Sequence, residues 1–250
     1  MRTPGRILAL LFSLLVSLSA WAGLPEGETH YEVRYKWGLL DTKVANGTFV
    51  VSRSQWNGQP ALCARVEVGA TPFFRLFMAD RYRCVLYLSQ DGNEPLYSRA
   101  PGKGKDGPYV FEMFYKRDAR RIDAVTVLDQ LGITENRVFK LDGRTLDLEA
   151  LFFFFSEVDP SMMPNGNPLS LQMVMPRSEA PTLMYYEGID TEKFPGEPCY
   201  RYRLELTGRG LMENRSGNLV HLWISTRESR ELLLLTVPLN NGIMEARLKR

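Results

Sequence analysis

The chain has 250 residues, 44% hydrophobic and 24% charged, with 31 basic against 29 acidic side chains and a formal net charge of +2. That length suits one large β domain, or two small ones, and can bury a sizeable core without disulfide staples. The charge balance excludes a nucleic-acid partner, which calls for a basic excess gathered on one face.

The first element in chain order is an export signal. Arg2 and Arg6 precede an apolar run from Ile7 to Leu18, and Ala20-Trp21-Ala22 supplies the small-x-small pattern that a signal peptidase reads. The run is too short for a membrane span, which takes about 20 residues. The expected organisation is therefore a signal peptide over residues 1–22 and a single β-rich domain over 23–250. Losing Arg2 and Arg6 with the signal brings the basic residues level with the 29 acids. No cysteine stands immediately after Ala22, so a soluble periplasmic product is expected rather than a lipoprotein.

Beyond the signal, apolar and charged residues alternate with period two, which puts apolar groups on one face of a sheet and charges on the other. Tyr31, Val33, Tyr35 and Trp37 alternate with Glu32, Arg34 and Lys36. Further strands are predicted over 47–52, 61–68, 81–89, 95–98, 109–116, 122–128, 137–141, 169–175, 182–187, 219–225 and 232–237. Tyr200 to Leu206 and Met244 to Leu248 alternate again. Many short strands at hairpin spacing imply antiparallel sheet curled into a barrel, half-barrel or sandwich. Gln90-Asp91-Gly92-Asn93, Leu141-Asp142-Gly143-Arg144 and Asn240-Asn241-Gly242 read as hairpin turns.

Two stretches break the pattern. Thr71 to Met78 suggests one helical turn. Thr145 to Val158 predicts a helix, N-capped by Thr145 or Asp147, with acids in its first turn and Asp159-Pro160 as its stop. Leu148, Leu151 and Phe152 to Phe155 make that helix apolar nearly all round, so it must be covered on more than one side. Gly102 to Gly107 reads as a flexible loop and lacks the Walker spacing of a phosphate loop. Arg117 to Arg121 and Arg247 to Arg250 read as a solvated turn and a chain end.

Catalytic patterns are missing from the sequence. His30 and His221 stand alone, no H-x-x-x-H or C-x-x-C pair occurs, and no G-x-S-x-G elbow is present. The carboxylates are spread along alternating strands, where a solvated face is expected. No enzymatic activity, metal or cofactor is therefore expected. Cys63, Cys84 and Cys199 allow at most one bridge; Cys63 and Cys84 lie in consecutive predicted strands and could pair, unless alternation sets them on opposite faces. Asn46-Gly47-Thr48 and Asn214-Arg215-Ser216 match the glycosylation pattern, which is silent in a bacterial product.

The strand Tyr31 to Trp37 with the glycine-punctuated hairpin through Gly47 resembles the opening of the bacterial family called domain of unknown function 3108. The close, His221 to Thr226 through Arg230 and then Gly242 to Leu248, is similar to that family's tryptophan-serine strand and its final glycine-led strand. Asp147 to Phe155 sits where the family places an aromatic-rich helix. Glu228 stands one place late for the family's turn acid, and Leu232 and Leu233 replace a common proline. The resemblance implies an exported envelope protein and supplies no catalytic residues.

The expected fold is all-β and mainly antiparallel, a barrel or half-barrel with one apolar helix packed on the concave side. The expected function is non-enzymatic binding of an apolar ligand, a lipid or acyl chain, because barrel mouths are common ligand sites and Met adapts to variable shapes. Phe111, Met113, Tyr115, Leu151, Phe152, Phe155, Tyr202 and Trp223 are the candidates to line that site. The alternative is an interaction or scaffold module of the cell envelope, with another envelope protein as partner.

Overall fold

Period-two burial runs through nearly every strand, as in Arg81–Ser89, where Tyr82, Cys84, Leu86 and Leu88 are buried and the residues between them are not. The computed structural model describes residues 26–72, 74, 81–92, 94–104, 107–142, 144–175, 178–206, 219–239 and 241–250, without the side chains of 103, 148, 152, 153, 156 and 178. The expected export signal, most of the expected helical turn at Thr71 to Met78, and the Asn214 sequon lie outside these residues.

The described residues form fifteen strands. The first eight are β1 (Gly27–Trp37), β2 (Leu40–Trp56), β3 (Gln59–Ala70), β4 (Arg81–Ser89), β5 (Pro95–Gly104), β6 (Gly107–Lys116), β7 (Arg121–Leu128) and β8 (Ile133–Lys140). A two-residue strand β9 (Thr145–Leu146) leads into helix α1 (Leu148–Glu157). The chain continues through β10 (Leu169–Met175), β11 (Ser178–Asp190), β12 (Cys199–Leu206), β13 (Leu219–Ser225), β14 (Leu232–Leu239) and β15 (Gly242–Leu248).

All fifteen belong to one sheet, in the order β8-β7-β6-β5-β4-β3-β2-β1-β15-β14-β13-β12-β11-β10-β9. Each neighbouring pair is antiparallel except β9 and β10, which are parallel. A parallel pair needs a crossover, and here α1 lies within it. The sheet is therefore mixed. Strand β1 pairs with β2 on one side and with β15 on the other, so the middle of the sheet is a seam between the two ends of the described chain.

The two edges, β8 and β9, are adjacent in sequence. Fourteen strand spacings of about 4.8 Å put the edges of a flat ribbon roughly 67 Å apart. The link from Lys140 to Thr145 spans at most about 18 Å. The ribbon must curl until its edges nearly meet, which makes it a nearly closed, barrel-shaped sheet. Breaks in register at Val33/Arg34, Tyr87/Leu88, Tyr186/Gly188 and Trp223/Ile224 add local bend.

Leu141 to Arg144 is thus not the hairpin turn expected from its Asp-Gly. It joins opposite edges of the sheet, and the residues that seemed to open the helix, Thr145 and Leu146, instead pair with Gln172 and Met173. Tight-turn chemistry does operate at Asn57-Gly58, where φ of 50° and 78° closes the β2–β3 hairpin. Cys63 faces outward opposite Tyr87, and Cys84 faces inward opposite Val66, so alternation separates them, and all three cysteines are free thiols.

The seam has one backbone-specific requirement. Gly242 has φ +122°, and a Cβ there would stand 2.2 Å from the carbonyl oxygen of Lys36 on β1. Both the torsion and the clash oppose any side chain. Gly242→Ala is expected to destabilise the fold by about 2 kcal/mol or more, read as a lower denaturation midpoint; an unchanged midpoint would remove this constraint from the seam.

Candidate functional site

The interior is built around α1. Asp147 caps it, its carboxylate accepting from the Ala150 amide at 2.6 Å. The same carboxylate accepts from the Ser98 hydroxyl on β5, and the Asp147 amide donates to the Tyr115 hydroxyl on β6 at 3.1 Å. Two strands and the helix start are thereby tied at one point. At the other end of α1 the Val158 carbonyl accepts from Tyr202 on β12 at 3.4 Å and from Arg230 at 3.0 Å, and Arg230 also pairs with Asp159 at 2.8 Å.

Of the residues proposed to line a ligand site, Phe111, Met113 and Tyr115 on β6, Leu151 and Phe155 on α1, and Tyr202 on β12 share one buried core. The side chain of Phe152 lies outside the described residues. Trp223 does not join them. On β13 the inward positions are Val220, Leu222 and Ile224, so Trp223 points out and packs with Cys199, Leu233 and Leu234 in a separate cluster.

The space between α1 and the sheet is filled. Leu151 and Phe155 meet Met173, Leu204, Leu206, Val220 and Leu235 around a void of about 10 Å³, room for about one water. Small-molecule sites usually offer about 300–1,000 Å³.

Two carboxylates are buried here that alternation did not reveal. Asp147 is 1% exposed and Glu149 5%. Desolvation pushes both carboxyls up, Glu149 to about 8 with the Asp147 charge as second cause, while hydrogen bonds from Ser98 and the Ala150 amide oppose the rise at Asp147. The signal was present in the sequence: a helix apolar all round must take the acids of its first turn inside with it.

The roomier concavity is on the outer face. Phe194, Leu233 and Leu248 form its apolar floor and wall, and Glu197, Arg247 and Arg250 its rim, around about 230 Å³. Glu197 is buried and held by Arg250, by Arg227 at 3.6 Å and by the Ser225 hydroxyl at 3.3 Å. Arg247 lies 5.3 Å from the Phe194 ring centre, and no carboxylate pairs with it among the described residues. Beside the pocket, Trp223 donates to Asp190 at 2.8 Å, and Lys193 and Arg201 flank its ring at 5.2 and 5.6 Å. Sequence reasoning missed this pocket because its walls come from the β11–β12 loop and strands β14 and β15, which approach only in the sheet.

His221 stands on the same outer face, 3.8 Å from Glu187, and burial lowers its pKa. His30 is exposed beside Glu28. Among the described residues no three His, Cys, Asp or Glu side chains gather as a metal site, and no helix is long and apolar enough to cross a membrane.

A mixed, nearly closed barrel-shaped sheet thus defines the architecture. The chain belongs to the family described as protein of unknown function DUF3108, whose model matches residues 30–249. Its fold is similar to that of a β-barrel-like protein of domain of unknown function DUF1849 from Brucella abortus, with TM-score 0.53 and 8% identity over 92% of this chain and 98% of that one. A protein of YmcC-like fold from Bacteroides fragilis aligns over 92% of this chain and 99% of its own, with TM-score 0.34 and 8% identity. No curated protein matches the chain in sequence.

The buried acids give the protein a pH dependence of definite sign. A carboxyl raised above its unfolded value stabilises the fold fully below about pH 4.5, and that contribution is lost as the pH climbs toward about 8. Stability is expected to fall across this window by on the order of a few kcal/mol, and Glu149→Gln to flatten the fall. Denaturant titrations at several pH values check this; parallel curves for the two proteins would show that Glu149 is ionised at no cost.

Proposed function

We propose that this protein is a non-enzymatic, soluble periplasmic protein that docks another envelope protein through the outer-face pocket between Phe194 and Arg247. The export signal of residues 1–22 supports the compartment. The contrast in room carries the rest: about 10 Å³ inside against about 230 Å³ outside. In this reading α1 plugs the concave side of the sheet and serves the fold. An acyl ligand would have to displace Leu151 and Phe155, and the filled interior weighs against it.

The pocket's size and charge suit a partner side chain rather than a lipid. About 230 Å³ with an apolar floor takes one large apolar side chain, the kind of anchor that dominates protein interfaces. Arg247, which no carboxylate pairs with among the described residues, is placed to receive an acid next to that anchor, and charge-assisted pairing of this kind fixes orientation. The interior acids serve no hydrolytic chemistry in this reading, since Asp147 and Glu149, at the start of α1, are buried away from solvent.

A photo-crosslinking residue in place of Phe194 is expected to yield one stoichiometric envelope-protein adduct in cells, lost with Arg247→Glu at unchanged melting temperature. The same crosslinker in place of Arg65, on the outer face of β3, is expected to yield none. Lipid mass spectrometry of the purified protein is expected to find no acyl chain; a stoichiometric lipid without the adduct would reverse the assignment.

A further inference from the structure

Strand β8 is the exposed edge of the sheet, and it is built to pair with itself. Its extensive neighbour is β7, and Ile133, Thr134, Asn136, Arg137 and Val138 are all exposed, Val138 at 66%. Among the described residues the far edge offers only the two residues of β9, and no strand stands opposite residues 133–138. The amide of Leu141 donates to the Arg120 carbonyl at 2.9 Å. Because backbone groups alternate in direction along a strand, and the β7–β8 register is unbroken, the odd residues of β8 hydrogen-bond toward β7. Thr134, Asn136 and Val138 therefore turn their N–H and C=O groups outward.

We propose that two copies of this chain join edge to edge through β8, antiparallel, about a two-fold axis at Asn136. In that register Asn136 faces Asn136 of the second copy, and Thr134 faces Val138 on either side of it. These are the three outward-facing residues, so each opposed pair exchanges both backbone hydrogen bonds. On the inner face the same register sets Glu135 opposite Arg137 twice over and Ile133 opposite Phe139 twice over. A register slipped by one residue would oppose outward-facing groups to inward-facing ones and form no ladder. One slipped by two would set like residues against each other, Glu135 on Glu135 or Arg137 on Arg137, and like charges directly opposed are unfavourable.

The charges on β8 are what usually blunts an edge against pairing. Here their order, acid then base around a central amide, makes the strand complementary to its own reverse. Glu135 and Arg137 keep their contacts within the chain, and the second copy adds a partner of opposite sign to each. The exposed side chains of Ile133 and Val138, at 45% and 66%, gain cover from Phe139 and Thr134 of the second copy. One strand pair buries less than the roughly 1,600 Å² of a standard interface, so the dimer is weak and its transition falls at high protein concentration. The surface is separate from the Phe194 pocket, which lies at β14 and β15, and the inference goes beyond the docking proposed there.

Sedimentation equilibrium of the purified protein up to about millimolar concentration is expected to reach twice the chain mass. Asn136→Pro removes an outward donor and leaves the β7 ladder intact, since proline is tolerated on the open side of an edge strand; it is expected to hold the protein monomeric at unchanged melting temperature. Glu135→Arg sets like charges together and is expected to do the same. Glu135→Arg combined with Arg137→Glu is expected to restore the dimer with itself and not with the native chain. A native protein monomeric throughout, a dimer indifferent to both single substitutions, or a double variant that stays monomeric would each overturn the proposal. None of these variants is expected to change the Phe194 adduct, which keeps the two surfaces distinguishable.

Discussion

The architecture depends on one covalent constraint, the short link from Lys140 to Thr145 between strands that lie at opposite edges of the sheet. Every other neighbouring relation is local or nearly so, apart from the seam where β1 meets β15. A flat ribbon of these strands would tear at that link. Curled, it brings β4 to β6 across from β10 to β14, and α1, which starts three residues after the link's end, is carried between them. The closure and the placing of the helix are one event.

What α1 does inside follows from its composition. A helix that is apolar on every side cannot lie on a surface, and a helix start leaves amides that need acceptors. Asp147 meets that need while drawing Ser98 and Tyr115 into a buried polar knot. Glu149 comes in with it, beside Tyr82. The result is a core that is well filled and yet holds two carboxyls away from water, so the price of closing the barrel is concentrated at the helix start. The void that Leu151 and Phe155 line measures about 10 Å³, and the concavity between Phe194 and Arg247 on the outer face about 230 Å³.

Local pattern was legible wherever one face of a strand is buried and the other wet. Tyr31 to Trp37, Arg81 to Ser89 and Tyr200 to Leu206 show it plainly, because a side chain's face in a strand is settled by parity alone. The helix and its Asp147 cap were legible as well. The link at Leu141 to Arg144 was not, since Asp-Gly looks the same whether the next strand folds back or starts at the far edge. Trp223 was misassigned to the interior for a related reason: alternation says that His221 and Trp223 share a face but not which face, and only the packing of Val220, Leu222 and Ile224 into the core decides it. The Phe194 pocket has no local signature, being assembled from a loop and two strands that register brings together.

By itself the amino-acid sequence determined the strand-rich class, the positions of most strands and the apolar character of the helix over Leu148–Glu157, because each depends on neighbours within a few residues. Tertiary structure alone decided that the ribbon curls until it is nearly closed, that Asp147 and Glu149 lose contact with water, and that β8 lies at an edge of the sheet. Those outcomes turn on distances between residues far apart in the chain. Only the summed curl of fifteen strands sets such distances.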